Sequence, residues 1–207
     1  RQRQMCIRDR SRTAKGTPVI NFLNLNSGEK VSAVIPVKEF SQDNYLVMIT
    51  RSGTIKKTPM SEFDSIRKNG LIAINLKDGD KLISVSQSNG DENIYVITKL
   101  GKAIAFNEND VRSMGRNAAG VRAINLDYGD EVVSMELDID GTREMLVVSE
   151  NGFGKRTSLD EYRLQTRGGK GIATYDKSKF SKTGTLVGGM LVRDENEVML
   201  INSNGVI

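Results

Sequence analysis

The eight residues "AGVRAINL", Ala119–Leu126, set a glycine ahead of a short apolar run, and the chain repeats this three more times. "KGTPVINFL" starts at Lys15, "NGLIAINL" at Asn69 and "KGIATY" at Lys170, so that Gly16, Gly70, Gly120 and Gly171 are spaced 54, 50 and 51 residues apart. Each copy is followed by a turn and an extended stretch: "GEKVSAVIPV", "GDKLISVSQS", "GDEVVSMELD" and "TGTLVGGMLV". A hairpin then closes the unit, in "YLVMITRSGTIKKT", "IYVITKLGKAIAF", "MLVVSENGFGKRT" and "VMLINSNGVI". The hairpin glycines Gly53, Gly101, Gly152 and Gly205 recur at 48, 51 and 53 residues. A three-part pattern said four times over is an internal repeat.

Each unit carries about four short strands rich in Val, Ile and Leu, punctuated by Ser-Gly, Asn-Gly or Asp-Gly. In "KLISVSQS", Leu82, Ser84, Ser86 and Ser88 alternate with Ile83, Val85 and Gln87, the period of a strand. Helical periodicity is weak; "SEFDSIRKNG" and "SLDEYRLQ" predict single turns capped by Ser61 and Ser158. A lone four-stranded sheet cannot bury both of its faces, so neighbouring units must stack. The pattern predicts an all-β fold: a propeller-like disc of four-stranded blades of about 50 residues, with four repeats at approximately 11–63, 64–111, 112–162 and 163–207. An ordinary β-sandwich is the alternative. "RQRQMCIRDR", residues 1–10, has neither apolar period nor helix cap and is expected to be a foreign or disordered leader. With "INSNGVI" reading as part of a strand pair, the sequence is taken as a fragment.

Composition narrows the chemistry. With no histidine and one cysteine, the chain cannot build a His/Cys metal site or a Cys/His or Ser/His catalytic group. Cys6 cannot form an internal disulfide, which fits a reducing compartment. No apolar run approaches the roughly 20 residues of a membrane span, and no signal peptide is visible. A cytoplasmic protein without membrane association is expected.

The net charge of +4 is modest, but its distribution is not. Windows 54–70, 102–122 and 153–171 sum to +7, whereas 71–100, 123–152 and 172–205 sum to −8. Lys56 and Lys57, Lys102, and Lys155 and Arg156 follow hairpin turns. Arg67 and Lys68, Arg112 and Arg116, then Arg163, Arg167 and Lys170 lie in the connectors ahead of the apolar run, with Arg122 just beyond. Arg12 and Lys15 begin the series. Equivalent positions of stacked repeats share a rim, so a positive belt is expected there, with the acidic residues on another face; such a belt suits a polyanion passing several blades. The connectors "SRTAKG", "SIRKNG", "RSMGRNAAG" and "RLQTRGGKG" all end in glycine. In the last, Gly168, Gly169 and Gly171 are expected to bring backbone N–H groups against a phosphate; a plain turn is the competing reading. A nucleotide P-loop fits poorly, because Gly169-Lys170 is followed by Gly171 rather than Ser or Thr and no strong helix follows.

The series "SRTAKGTPVINFLNL", "FDSIRKNGLIAINL", "DVRSMGRNAAGVRAINL" and "GKRTSLDEYRLQTRGGKG" resembles the C-terminal domain of DNA gyrase A over residues 11 to 207. The resemblance implies a β-pinwheel, a propeller-like disc with strands exchanged between blades, around whose basic rim duplex DNA bends. It also implies the remainder of gyrase A, and gyrase B, as partners in a holoenzyme that introduces negative supercoils, with nucleoid association. ATP and Mg2+ would be used elsewhere in that holoenzyme, no cofactor or metal by this chain. The family's box Q-R-R-G-G-[KR]-G, found in the first blade, is matched by Gln165, Arg167, Gly168, Gly169, Lys170 and Gly171, with Thr166 in place of an arginine. Because this copy lies in a later repeat, the first-blade box is expected upstream of residue 11. None of Tyr45, Tyr95, Tyr128, Tyr162 and Tyr175 matches the family's DNA-cleaving tyrosine, and no catalytic residue is assigned. The C-terminal domain of the corresponding protein of topoisomerase IV is a second candidate, and a propeller docking an acidic protein is a third.

Overall fold

The computed structural model describes residues 31, 34–37, 40–65, 70–138 and 141–200. The expectations for Arg12, Lys15, Arg67, Lys68, the leader at residues 1–10, and the Gly16 and Gly205 copies lie outside the described residues.

The strands are β1 (Tyr45–Thr50), β2 (Thr54–Pro59), β3 (Leu82–Ser88), β4 (Asn93–Thr98), β5 (Lys102–Asn107), β6 (Val121–Arg122), β7 (Val132–Asp138), β8 (Glu144–Ser149), β9 (Gly154–Ser158), β10 (Ile172–Ala173) and β11 (Leu186–Val192). They form antiparallel sheets of order β3-β1-β2-β6, β10-β5-β4-β7 and β11-β8-β9. A blade is therefore not a contiguous stretch of chain. β6 follows β5 in sequence yet pairs with β2 (Ile55 opposite Val121), and β10 follows β9 yet pairs with β5 (Ala103 opposite Ile172). Each of these two sheets borrows its edge strand from the connector of the next, the exchange the family resemblance implies.

The three hairpins turn through three- or four-residue loops at Gly53, Gly101 and Gly152, with φ of 79°, 78° and 78°. Their N–H groups return to Thr50 O, Thr98 O and Ser149 O at 3.0, 3.1 and 2.9 Å. A left-handed glycine after a tight turn is a common three-residue hairpin solution.

β1 and β4 read as continuous apolar runs because both faces are covered, unlike a sheet with one face in water. Alternate residues of β4 and β5 enter different cores. Ile94, Val96, Ile104 and Phe106 meet Val47, Ile49 and Ile55 of the first sheet, while Tyr95, Ile97, Ala103 and Ala105 meet Met145 and Val147 of the third and Leu159 just beyond it. Fully burying each larger side chain contributes about 1.5–3 kcal/mol. Both apolar cores thus join successive blades.

Of the two predicted single turns, Leu159–Glu161 is a 3-10 turn whose cap is Ser158, its side chain accepting from Asp160 N. The other, Met60–Phe63, starts two residues earlier than expected: Pro59 is the N-cap and Ser61 lies inside the turn.

Part of the acidic half locks hairpin turns. Asp80 accepts from Ser52 N at 3.0 Å and Ser52 Oγ at 2.5 Å, and Asp130 does the same for Leu100 N and Thr98 Oγ1, both at 2.8 Å. Burial alone would raise the pKa of Asp80, but hydrogen bonds from Ser52, Thr50 and Lys81 outweigh it and hold the carboxyl below its ordinary value. A depressed carboxyl stabilises the fold above its unfolded pKa of about 3.9 and loses that contribution as pH falls through the folded value. Asp80→Ala is expected to lower stability by about 1 kcal/mol at neutral pH, modest because the turn is open to solvent. In urea titrations the gap from the parent chain should close below about pH 4.

Candidate nucleic-acid interface

Strands β2 and β5 are each crossed by an arch of connector from the next blade: the first arch follows β5 in the chain and lies on β2, and the second follows β9 and lies on β5. In the first, Met114 N donates to Lys57 O at 2.9 Å, the chain bows outward, and Ala123 N returns to Gly53 O at 2.8 Å. The second repeats this, with Gln165 N on Ala105 O at 2.8 Å and Thr174 N on Gly101 O at 2.9 Å. Parallel bridges, Lys57 to Ser113 and Ala105 to Leu164, mark the same start in both. Arg112 and Arg163, and likewise Arg116 and Arg167, therefore occupy equivalent places. At the opposite edges β3 packs on β7 and β7 on β11, so the sheets converge there and spread apart at the arches. The arches form the periphery.

Arg112, Arg122, Arg163 and Lys170 are exposed on that periphery, and among the described residues none lies within 4 Å of a carboxylate. The second arch touches the first: Gly168 N donates to Ala123 O at 2.6 Å, and Asn125 N donates to Gly169 O at 2.8 Å. This gathers Arg122, Arg167 and Lys170 into one patch.

Other expected belt residues have structural roles. Arg167 Nε donates to Asp110 O at 2.8 Å and Nη1 to Arg122 O at 3.0 Å, stapling successive connectors. Arg116 is half-buried, with Nε 4.0 Å from Glu62 Oε2. Lys102 Nζ pairs with Asp127 Oδ2 at 2.7 Å. Arg156 is exposed but clasped by Glu144 and by Asp194, the latter at 2.6 Å. Lys155 is exposed, its Nζ 3.4 Å from Thr174 O.

Lys56 and Lys57 depart from the expected belt outright. They are 0% and 5% exposed, because the first arch covers β2. Lys56 Nζ donates to Arg116 O and, at 2.8 Å, to Ala73 O. Burial, then the charge of Arg116, lowers its pKa against the opposing pull of Glu62. Lys57 Nζ lies 2.6 Å from Glu108 Oε1 and 4.3 Å from the centre of the Tyr45 ring. Oε1 accepts no well-directed hydrogen bond, so this contact is Coulombic. Neither ammonium can reach a phosphate. Their counterparts Lys155 and Arg156 are exposed because β9 has no described strand on its outer edge.

The glycines also differ from expectation. A Cβ on Gly171 would collide with Ala103 O, and one on Gly120 would lie 2.7 Å from Ile55 O. The repeated glycine lets the arch close on the edge strand. The Gly168 N–H is spent on Ala123 O, so it is not free for an anion. The Gly70 copy is not a strand and pairs with no described strand; Asn75 Nδ2 on Asn117 O at 2.8 Å helps hold it.

The acidic residues are not confined to another face. Asp127 sits between Lys102 and Lys177, at 2.7 and 3.9 Å; the Lys102 hydrogen bond lowers its pKa, burial opposes this, and the charges of Lys102, Lys177 and Lys170 add to the lowering. Charge windows concealed the exposed Lys177, Lys179 and Lys182, whose run "DKSKFSK" falls in 172–205, where four basic residues are cancelled by four acidic ones. Among the described residues no cluster of three or more Asp, Glu or Cys is placed to hold a metal, and no helix is long and apolar enough to cross a membrane.

The chain matches a family model described as "DNA gyrase C-terminal domain, beta-propeller" over residues 7–38, 44–89, 92–137 and 143–193. It is similar to the DNA gyrase A protein of Clostridium acetobutylicum, 52% identical over 97% of this chain and 24% of that protein. The chain thus spans about a quarter of the length of that relative. Its fold is similar to a solved gyrase A C-terminal domain (TM-score 0.78, 31% identity, 87% of this chain and 60% of that one). It is similar too to the C-terminal domain of a DNA topoisomerase IV (TM-score 0.79, 28% identity, 86% and 55%). With exchanged edge strands, stacked blades and matches across most of its repeats, the chain belongs to the family of DNA gyrase C-terminal β-propeller domains.

Proposed function

We propose that the arches carry duplex DNA along the periphery, gripping phosphates without reading bases, so that the disc wraps the duplex. The observation that carries this is the once-per-blade recurrence of arginines on equivalent outer arches, at Arg112 and Arg163 and at Arg116 and Arg167. Bending 20–30 base pairs costs on the order of 1–6 kcal/mol, which several spaced contacts offset better than one pocket. Each neutralised phosphate releases counterions and adds about 0.9 to the salt slope. Aromatic rings do not line the arches, which disfavours single-strand stacking. As one part of a longer cytoplasmic protein, the disc presents wrapped DNA to the rest of gyrase A and to gyrase B. ATP and Mg2+ act there.

Replacing Arg112, Arg122, Arg163 and Lys170 together by glutamine is expected to flatten the salt slope of duplex binding by about 3–4. Fluorescence anisotropy with a non-specific duplex over a salt series measures this. An unchanged slope overturns the assignment. Arg167→Gln is a useful contrast, since its staple role makes it affect thermal stability as well as binding.

A further inference from the structure

The segment between the start of the apolar run and the convergent strand differs sharply among repeats. It runs eight residues at 74–81 and 124–131 but eleven at 175–185. The first two hold net charges of 0 and −3; the third holds three lysines against one aspartate, +2. In the shorter copies, aspartates of this segment lock the hairpin turn, through Asp80 and Asp130. In the third repeat that lock comes from the hairpin side instead: Glu150 Oε2 accepts from Thr185 N at 2.9 Å, and Asn151 Nδ2 donates to Lys182 O at 2.8 Å. The inserted loop is thereby released from its acidic duty.

The insertion folds as a 3-10 turn, Lys177–Lys179, running into a single helical turn, α1 (Phe180–Thr183). Asp176 caps it, accepting from Ser178 N at 3.0 Å and Ser178 Oγ at 2.7 Å, so the one local carboxylate is already engaged. Tyr175 and Phe180 stack at 5.9 Å and seat the turn over Gly101. Lys179 and Lys182, three apart, project from one side of the turn. They line a cleft of about 690 Å³ with Lys155, over a floor that includes Phe153 and Tyr175. Lys177 shares the Asp127 carboxylate with Lys102, tying the insertion to the patch that holds Lys170. Among the described residues neither Lys179 nor Lys182 has a carboxylate within 4 Å.

We infer that this insertion is a second grip on the DNA backbone: Lys177, Lys179 and Lys182 take phosphates of the same duplex as it leaves the second arch, with Lys155 on the far wall. The inference rests on the reading that the arches hold duplex DNA. Lys177 reaches Asp127 at 3.9 Å and Lys182 lies 5.6 Å over the Phe153 ring, long exposed contacts that a phosphate can replace, and the sign inversion occurs only where the turn lock has moved elsewhere.

The test is the intact chain carrying Lys177→Gln, Lys179→Gln and Lys182→Gln, titrated with a non-specific duplex across a salt series. Affinity at low salt is expected to fall about tenfold or more and the slope by about 2–3. Restoring charge with Lys→Arg at the same three positions should recover both. Lys77→Gln with Lys81→Gln, on the equivalent loop of an earlier repeat, should leave the slope within about 0.5 of the parent. A parental slope in the triple glutamine variant, a loss no larger than that of the Lys77/Lys81 control, or failure of arginine to rescue would overturn the inference. If the parent chain itself shows no salt-dependent duplex binding, the arch reading falls and this inference with it; steep parental binding unaffected by the triple substitution sinks this inference alone.

Discussion

Glu108→Ala is expected to cost about 3–5 kcal/mol, a large share of the stability of an ordinary domain. Glu108 is fully buried, with its Oε2 accepting from Ser88 Oγ and, at 3.0 Å, from Glu92 N, while Oε1 faces Lys57. Removing it strands an ammonium between two blades and leaves two donors unmatched. Burial, then the hydrogen bond from Asn89, then the charge of Glu108 act on neighbouring Glu92, the hydrogen bond opposing the other two, and its pKa is raised. The next blade junction shows how this pair could be dispensed with. Lys57 and Glu108 correspond in the repeat to Ala105 and Leu159, which meet in the second apolar core. The double variant Lys57→Ala/Glu108→Leu should therefore recover most of the loss, because an apolar replacement of a buried ion pair is often neutral or better. Chemical denaturation of the four corners of the cycle measures the coupling. A Glu108→Ala chain within about 1 kcal/mol of the parent (roughly a fivefold change in the folding constant) would show that the charge escapes to water.

Gly171→Ala is expected to destabilise by roughly 2–4 kcal/mol, by two additive causes. Its φ of 70° is strained for any residue with a Cβ, at about 1–2 kcal/mol, and the new methyl would collide with the Ala103 carbonyl. The backbone must move, and β10 parts from β5. Gly152→Ala isolates the first cause: φ is 78°, yet no atom lies within 4 Å of the added Cβ. It should cost only about 1 kcal/mol. Hydrogen exchange at the amides of Ala103 and Thr174 would report the lost edge in Gly171→Ala and not in Gly152→Ala. Equal losses in the two variants would mean that conformation alone, not close approach, explains the repeated glycine.

The periodic glycines, the hairpin signals and the strand alternation made the repeat and its all-β character legible, because these depend on local backbone and pleat. The in-register arginines were legible for the same reason: equivalent places in a repeat become equivalent places in space, as Arg112 and Arg163 show. Lys57 and Arg156 mark the limit of that rule. They align in sequence, yet one is buried under an arch and the other is exposed and clasped by carboxylates. Lys102, read as their companion, follows its turn glycine directly, two positions nearer than Lys56, and so aligns with Thr54 instead.

Sequence alone determined the repeat length, the strand content, the basic character of the connectors and the absence of histidine chemistry, all properties a chain carries whatever its neighbours. Only the tertiary structure decided which strand completes which sheet, which cations remain in water, and why the glycines are needed. Those outcomes arise from one blade's connector lying across another blade's edge, a contact between residues some 60 positions apart, as between Lys56 and Arg116. Exposure and pairing belong to that contact rather than to either segment by itself.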